Sequence, residues 1–271
     1  MQNPFDVSGK VIAITGGSGA LGGSMAQRLI QAGARIAILD LRLELAQKSV
    51  AELTKEGGEA IAIEANVLDK DNLIAAKNAI MAQWGKIDVL INAAGGNMPG
   101  ATIGPNQTIF DLSIEAFKKV SDLNLNGSVL PALVFGEQMA AQKQGVIINI
   151  SSMTAQRAIS RVVGYSVSKA AIDNFTKWMA VELALKFGGG IRVNAIAPGF
   201  FIGDQNRNLL LNEDGSLTDR GKTIIAHTPM GRFGEAEELN GTIQWLCSDA
   251  SKFVTGIVVP IDGGFSAWSG V

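Results

Sequence analysis

Seven short runs rich in Val and Ile punctuate the chain, and they are continuous rather than alternating. They read VIAIT (11–15), RIAIL (35–39), AIAIE (60–64), IDVLIN (87–92), VIINIS (146–151), IRVNAIA (191–197) and GIVVPID (256–262). A strand with one wet face alternates apolar and polar residues, so a continuous apolar run signals a strand buried on both faces. Helical spacing fills 20–32, 42–56, 69–83, 113–143, 164–186 and 235–248, and the stretch 113–143 is long enough for two helices. This alternation predicts an α/β fold, a doubly wound parallel sheet of seven strands with helices on both faces. No repeat or linker divides residues 1–271, which read as one domain. Two connections, 95–112 and 198–234, are unusually long and leave the carboxyl ends of predicted strands, where such sheets bind ligands. The segment at about 200–232 reads as a substrate lid.

Charge narrows the partners. With a net charge of −2 and no basic run, neither nucleic acid nor an anionic membrane surface is expected. No apolar run reaches the ~18 residues of a membrane span, and the opening MQNPFDVSGK lacks the features of an export signal. Cys247 stands alone, so no internal disulfide forms and a cytoplasmic protein is expected. It lies in QWLCS, on the apolar side of a predicted helix, and reads as core. The lone histidine, His227, reads as a lid or surface residue. No His/Cys/Asp cluster has metal-ligand spacing, so no metal is expected.

The first strand runs into ITGGSGALGG (14–23), which carries two overlapping glycine patterns. From Gly17 it reads G-x-G-x-x-G; from Thr15 it reads T-G-x-x-x-A-x-G. Either pattern lets backbone approach a pyrophosphate at the start of the following helix, although a tight turn without a ligand would look the same. The second strand ends at Asp40, 18 residues after Gly22. A carboxylate there binds a ribose diol and repels a 2′-phosphate, which favours NAD over NADP. Its competing role is to cap the helix that follows.

YSVSK (165–169) places the chain's only tyrosine four residues before Lys169, so phenol and ammonium share a helix face. Ser152 follows the strand 146–151, and Asn124 lies in LNLNG between two predicted helices. Alcohol oxidation by hydride loss needs a base for the hydroxyl proton, and a phenol at its ordinary pKa of about 10 is a poor one. A neighbouring ammonium, together with the positive nicotinamide ring, would favour the phenolate and lower that pKa. A serine hydroxyl can hold the substrate oxygen in line, and an asparagine can hold water that links the lysine to solvent.

With these residues in place the chain resembles the short-chain dehydrogenase/reductase family over nearly its whole length. The resemblance rests on TGGSGALG, NAAG (92–95), LNLNG, ISS, YSVSK, RVNAIAPG (192–199) and VPIDGG (259–264). It implies a Rossmann-type domain and a catalytic set of Asn124, Ser152, Tyr165 and Lys169. It implies an NAD groove that begins with Gly16, Ser18, Gly19, Ala20, Leu21 and Gly22. Asp40, Asn66 and Val67 continue it, as do Asn92, Ala93 and Ala94. Tyr165, Lys169, Pro198 and Gly199 complete it. The Thr15 register is the one such proteins use, and a homotetramer is their usual assembly. Ala20, Asn66, Ala93 and Gly203 depart from the family pattern. Asn66 would still offer its side-chain oxygen to the adenine, whereas Gly203 leaves the carboxamide without a side-chain anchor.

The segments GGNMPGAT, MTAQRAISRVVG, FFIGDQNRNLL and IIAHTPMGRFG are similar to the subgroup acting as D-mannonate oxidoreductase (fructuronate reductase). That implies a sugar-acid substrate. An arginine suits its carboxylate, with Arg157 the first choice and Arg161 the second. Asn97, Gln205 and Asn206 suit its hydroxyls, alongside Ser152 and Tyr165. The alternatives are a neutral polyol or ketone as substrate, or a dinucleotide-sensing protein without chemistry. The apolar tail GFSAWSGV, with Phe265 and Trp268, is expected to be covered in the assembly.

Overall fold

The computed structural model describes residues 3–55, 57–203 and 206–270. Its strands are β1 (Val11–Thr15), β2 (Arg35–Asp40), β3 (Glu59–Glu64), β4 (Val89–Asn92), β5 (Gly145–Ile150), β6 (Ile191–Pro198) and β7 (Val258–Ile261). All pair in parallel, in the order β3-β2-β1-β4-β5-β6-β7. The helices are α1 (Ala20–Gln31), α2 (Leu43–Leu53), α3 (Lys70–Trp84), α4 (Ile114–Ser121) and α5 (Gly127–Gln142). They continue with α6 (Val163–Phe187), α7 (Arg207–Leu210), α8 (Asp219–Ala226) and α9 (Asn240–Cys247).

Successive strand residues point to opposite faces, and two apolar layers result. Ile12 and Ile14 of β1, with Ile36, Ile38 and Ile148, pack against Met25 and Leu29 of α1 and Leu246 of α9. Val11, Ala13, Ala37, Leu39 and Ile147 pack against α3, α5 and α6 through Leu73, Ile80, Phe135, Met139 and Met179. Two-sided burial therefore holds for the five inner strands. It fails at β3 and β7, which have one neighbour each and leave Glu59, Glu64 and Pro260 exposed.

Local chemistry sets the helix boundaries. Asp69 accepts from the Asp71 and Asn72 N–H groups at the start of α3, and Gly85, at φ +74°, ends it in the left-handed conformation. Ser113 caps α4 through the Ala116 N–H. Between α4 and α5 a π-helical turn, Asp122–Asn126, splits the long helical stretch in two. The stretch 235–248 likewise opens as a 3₁₀ turn at Ala236–Leu239 before α9. Strand order reverses at β1, whose neighbours are β2 and β4, so a crevice opens at the carboxyl ends of β1 and β4. The segment between β6 and β7 carries α7 and α8, whose residues wall the space beyond that crevice.

Candidate active site

The glycine turn comes first, because it decides how closely anything can approach. Gly16 has φ +63°, and a Cβ there would lie 2.7 Å from the Ala94 Cα. At Gly22 a Cβ would stand 2.6 Å from the Gly16 carbonyl oxygen. At Gly19 the nearest atom would be 3.3 Å away. Gly22 is common to both registers and a Cβ at Gly17 would lie 2.9 Å from Ile38 Cδ1, so Gly16, left-handed and pressed against Ala94, is the position that favours the Thr15 register. Thr15 also braces the turn, its hydroxyl accepting from the Ala94 N–H at 3.2 Å. No side chain caps α1, and the buried Ser18 hydroxyl has no partner. This cradle, an open helix start and an unsatisfied hydroxyl fit the phosphates of a dinucleotide.

The turn forms one wall of a cleft of about 630 Å³. Gly16 and Ser18–Gly22 line it, with Asp40, Ala93, Ala94, Pro198, Gly199 and Gly203. Asp40 does not cap a helix: one oxygen accepts from the Arg42 N–H at 3.2 Å, and Arg42 itself stands at the N-cap without a side-chain bond. Three expected groove residues lie outside the lining. Asn66 turns its oxygen back to the Leu68 N–H at 3.0 Å, because the chain must bend there into α3. Val67 is buried beside it. Asn92 lies beneath the groove, donating to the Ser128 carbonyl and, at 2.9 Å, to Asn149 Oδ1. Asn149 in turn donates to Thr176 Oγ1 at 2.9 Å. Asn92 therefore locks β4 to β5 and to α6.

The four expected catalytic residues converge from three elements. Lys169, buried on α6, donates from Nζ to the Ile150 carbonyl at 2.7 Å, across the end of β5. Its Nζ lies 5.4 Å from the centre of the Tyr165 ring, one turn earlier. Ser152, two residues beyond β5, lines the same cleft as Tyr165, its hydroxyl accepting from the Thr154 N–H at 3.2 Å. Asn124 sits in the π turn, a form that often marks functional positions. It accepts from the Gly96 N–H at 3.0 Å and donates to the Gly96 carbonyl at 2.7 Å and the Val120 carbonyl at 2.9 Å. Its amide is thus occupied by protein, and it acts on the site by holding the loop after β4. A Cβ on Gly95 would come within 2.8 Å of Asn124 and 3.4 Å of the Lys169 Nζ, so only glycine lets the three meet.

Burial dominates the electrostatics. It pulls the Lys169 ammonium down to about 8, and the nearby Asp173 charge opposes this. It pushes the Tyr165 phenol above its ordinary value, while the Ser152 hydroxyl pulls it back. The expected lowering of the phenol's pKa rests on Lys169 together with the nicotinamide ring; in the protein alone burial sets the direction. The ammonium is directed to the Ile150 carbonyl and is itself desolvated.

A second cavity of about 500 Å³ shares Ser152, Tyr165, Gly96, Gly199 and Asn206 with the first. Asn97 lines it, donating to Thr102 at 2.7 Å and leaving a buried Oδ1 unpartnered; the Thr154 hydroxyl is unpartnered too. Asn206 is committed to its own loop, accepting from the Gly203 N–H and donating to the Phe201 carbonyl, both at 2.8 Å. Gln205 lies outside the described residues. Arg157 is not in this cavity: it is exposed, and its Nε donates to the Ser266 carbonyl at 2.9 Å. The loop after Ser152 turns it toward the C-terminal tail. Arg161 does line the cavity, and so does Arg220 of α8. Arg220 sits in the polar stretch TDRGK (218–222), and no local signal marks it. His227 is exposed, its Nδ1 2.7 Å from the Thr223 carbonyl oxygen. Cys247 is buried in the core, where burial pushes its thiol up to about 12.

Comparison with known proteins adds to this geometry. Residues 17–266 match the family model described as enoyl-(acyl carrier protein) reductase. The chain is 47% identical over 275 residues to the uncharacterized oxidoreductase UxuB of Bacillus subtilis (strain 168), covering 98% of each. It is 34% identical over 264 residues to the 5-keto-D-gluconate 5-reductase of Escherichia coli (strain K12), covering 97% of this chain and 98% of that one. A crystal structure of a candidate D-mannonate oxidoreductase from Haemophilus influenza, with bound NAD, superposes with a TM-score of 0.91. Its identity is 44%, and 98% of each chain is covered.

The buried lysine has a consequence for stability. Its pKa falls from 10.5 unfolded to about 8 folded, so between pH 8 and 10 the unfolded chain binds more protons. The Lys169 contribution to stability therefore rises with pH across that window. Cys247, pushed from 9.0 up to about 12, acts in the opposite sense above 9, and Tyr165 does so near and above its ordinary value of 10.0. In urea unfolding the wild type should gain stability relative to Lys169→Met as pH rises from 8 to 10. Parallel profiles would show that Lys169 is not the group responsible.

Proposed function

The chain belongs to the short-chain dehydrogenase/reductase family and is an NAD(P)-dependent oxidoreductase of CH–OH groups; from that premise we propose that it interconverts a sugar acid and its keto acid using NAD, with D-mannonate and D-fructuronate the first pair. The observation that carries this reading is the shared wall. Ser152 and Tyr165 belong to both cavities, so a dinucleotide in one and a hydroxylated substrate in the other meet at the phenol. The unpartnered Asn97 oxygen and Thr154 hydroxyl suit a polyhydroxy chain. The relatives named as a 5-keto-D-gluconate reductase and a D-mannonate oxidoreductase support the same substrate class.

The nicotinamide ring supplies the hydride acceptor or donor when bound. In oxidation the Tyr165 oxygen takes the substrate hydroxyl proton, and in reduction it returns it. The Ser152 hydroxyl, beside the phenol in the shared wall, holds the substrate oxygen in line. Lys169 keeps positive charge behind the ring and ties the helix to the Ile150 carbonyl. Ser18, with the open start of α1, holds the phosphates. Asp40, in the same cleft, holds the adenosine ribose diol.

Tyr165→Phe should lower kcat by about 10²–10⁴-fold, because only the proton-transfer group is lost. NADH binding, followed by fluorescence, should persist. A kcat near wild type would remove Tyr165 from the reaction.

The wild type should prefer NAD, since the Asp40 carboxylate would repel a 2′-phosphate. Asp40→Ala should narrow the ratio of kcat/KM for NAD over NADP. An NADP preference in the wild type, or an unmoved ratio in the variant, contradicts the assignment.

A homotetramer accompanies this reading. The apolar surface that supports it lies on α6, where Val167, Trp178, Val181 and Leu185 are exposed, and on α5 at Leu133. The C-terminal tail supports it less than its sequence suggests. Phe265 packs edge-on against Phe200 at 5.4 Å, and Trp268 lies 6.2 Å from His227. Light scattering should return four chains; a stable monomer at micromolar concentration would exclude the assembly.

A further inference from the structure

The 500 Å³ cavity has an uneven charge. Arg161 and Arg220 both line it, and no Asp or Glu among the described residues does. Neither guanidinium pairs with a carboxylate among the described residues. Arg220 makes two marginal contacts, both 3.5 Å, to the Ser160 hydroxyl and carbonyl. It is partly buried, and burial and then the Arg161 charge both lower its pKa, so two cations lie near one another in a mostly apolar cavity. Two such charges together are costly unless an anion joins them.

Arg161 is also held in place by its backbone. Its φ is +78°, a conformation rarely adopted by a residue with a side chain. Two bonds to Ile103 maintain it: the Ile103 N–H donates to the Arg161 carbonyl at 3.0 Å, and the Arg161 Nε donates to the Ile103 carbonyl at 2.7 Å. With Nε anchored, the Nη atoms remain for a ligand. Arg220 arrives from another direction, on α8, after Thr218 has capped that helix.

We propose that Arg161 and Arg220 form a two-arginine clamp for the carboxylate of the substrate in the cavity that Tyr165 also lines. This deepens the sugar-acid reading and rests on it. The clamp replaces Arg157, which is spent on the Ser266 carbonyl. It also gives α8 a role in selectivity, since that helix supplies Arg220 to the cavity.

The test uses Arg161→Gln, Arg220→Leu and Arg157→Leu in the NAD-loaded protein. D-mannonate, D-gluconate and the uncharged D-mannitol are the probes, read by turnover and by calorimetric binding. Charge-assisted contacts of this kind are worth about 10- to 150-fold each. Arg161→Gln and Arg220→Leu should each lower the acid-to-mannitol ratio of kcat/KM by that factor and weaken hexonate binding, with KM rising more than kcat falls. Arg157→Leu should leave the ratio unmoved. Unchanged NADH affinity and melting temperature check that the variants fold. If the wild type prefers the acid but both clamp variants keep its ratio and its binding, the clamp is wrong and the sugar-acid reading stands. If the wild type neither binds nor oxidises either hexonate, both fall. Loss of the ratio in Arg157→Leu alone would also overturn the clamp.

Discussion

The hydrogen bond from the Lys169 ammonium to the Ile150 carbonyl sets the site on which everything else depends. It fixes the register of α6 against the carboxyl end of β5. One turn back along α6 this delivers Tyr165, and two residues beyond β5 the chain delivers Ser152 to meet it. A buried ammonium needs such a partner, because burial without a hydrogen bond is costly. Ser151 adds a second tie, its hydroxyl donating to Asp173 one turn further along α6. Asn149 adds a third through Thr176. Helix and strand are thus joined at three successive turns, and the candidate acid–base group has little freedom to drift.

Charge is segregated along the crevice. Asp40 lies in the cleft that fits a dinucleotide, whereas the adjoining cavity holds two arginines and no described acid. Between them stand neutral hydroxyls on Ser152 and Tyr165. Under the proposed function, the acid and the two arginines would orient two different ligands without competing for either. The loops bearing these groups are held by side chains spent on structure: Asn124 on Gly96, Asn206 on Gly203 and Phe201, and Asn92 on β5. Asparagine suits this work because one amide both donates and accepts.

Much of the fold was legible because parallel strands buried on two faces must be apolar throughout. The run 11–15 matches β1, and 191–197 lies within β6. The misreadings fall where neighbours decide. Whether AIAIE is inner or edge depends on strand order, which no local pattern records. The π turn at Asp122–Asn126 keeps a helix-like sequence and adds one residue per turn, so periodicity cannot separate it from the flanking helices.

What the sequence determined by itself was the chemistry carried at short range. The Tyr165–Lys169 pair follows from helical spacing, whereas the glycine turn allowed two registers and only the family resemblance chose between them. Tertiary structure decided everything that needed two distant segments to meet. It turned Arg157 toward the C-terminal tail and brought Arg220 to within reach of Arg161, 59 positions apart in the chain. It also pushes the Tyr165 phenol upward in the protein alone, because desolvation depends on the whole surrounding fold.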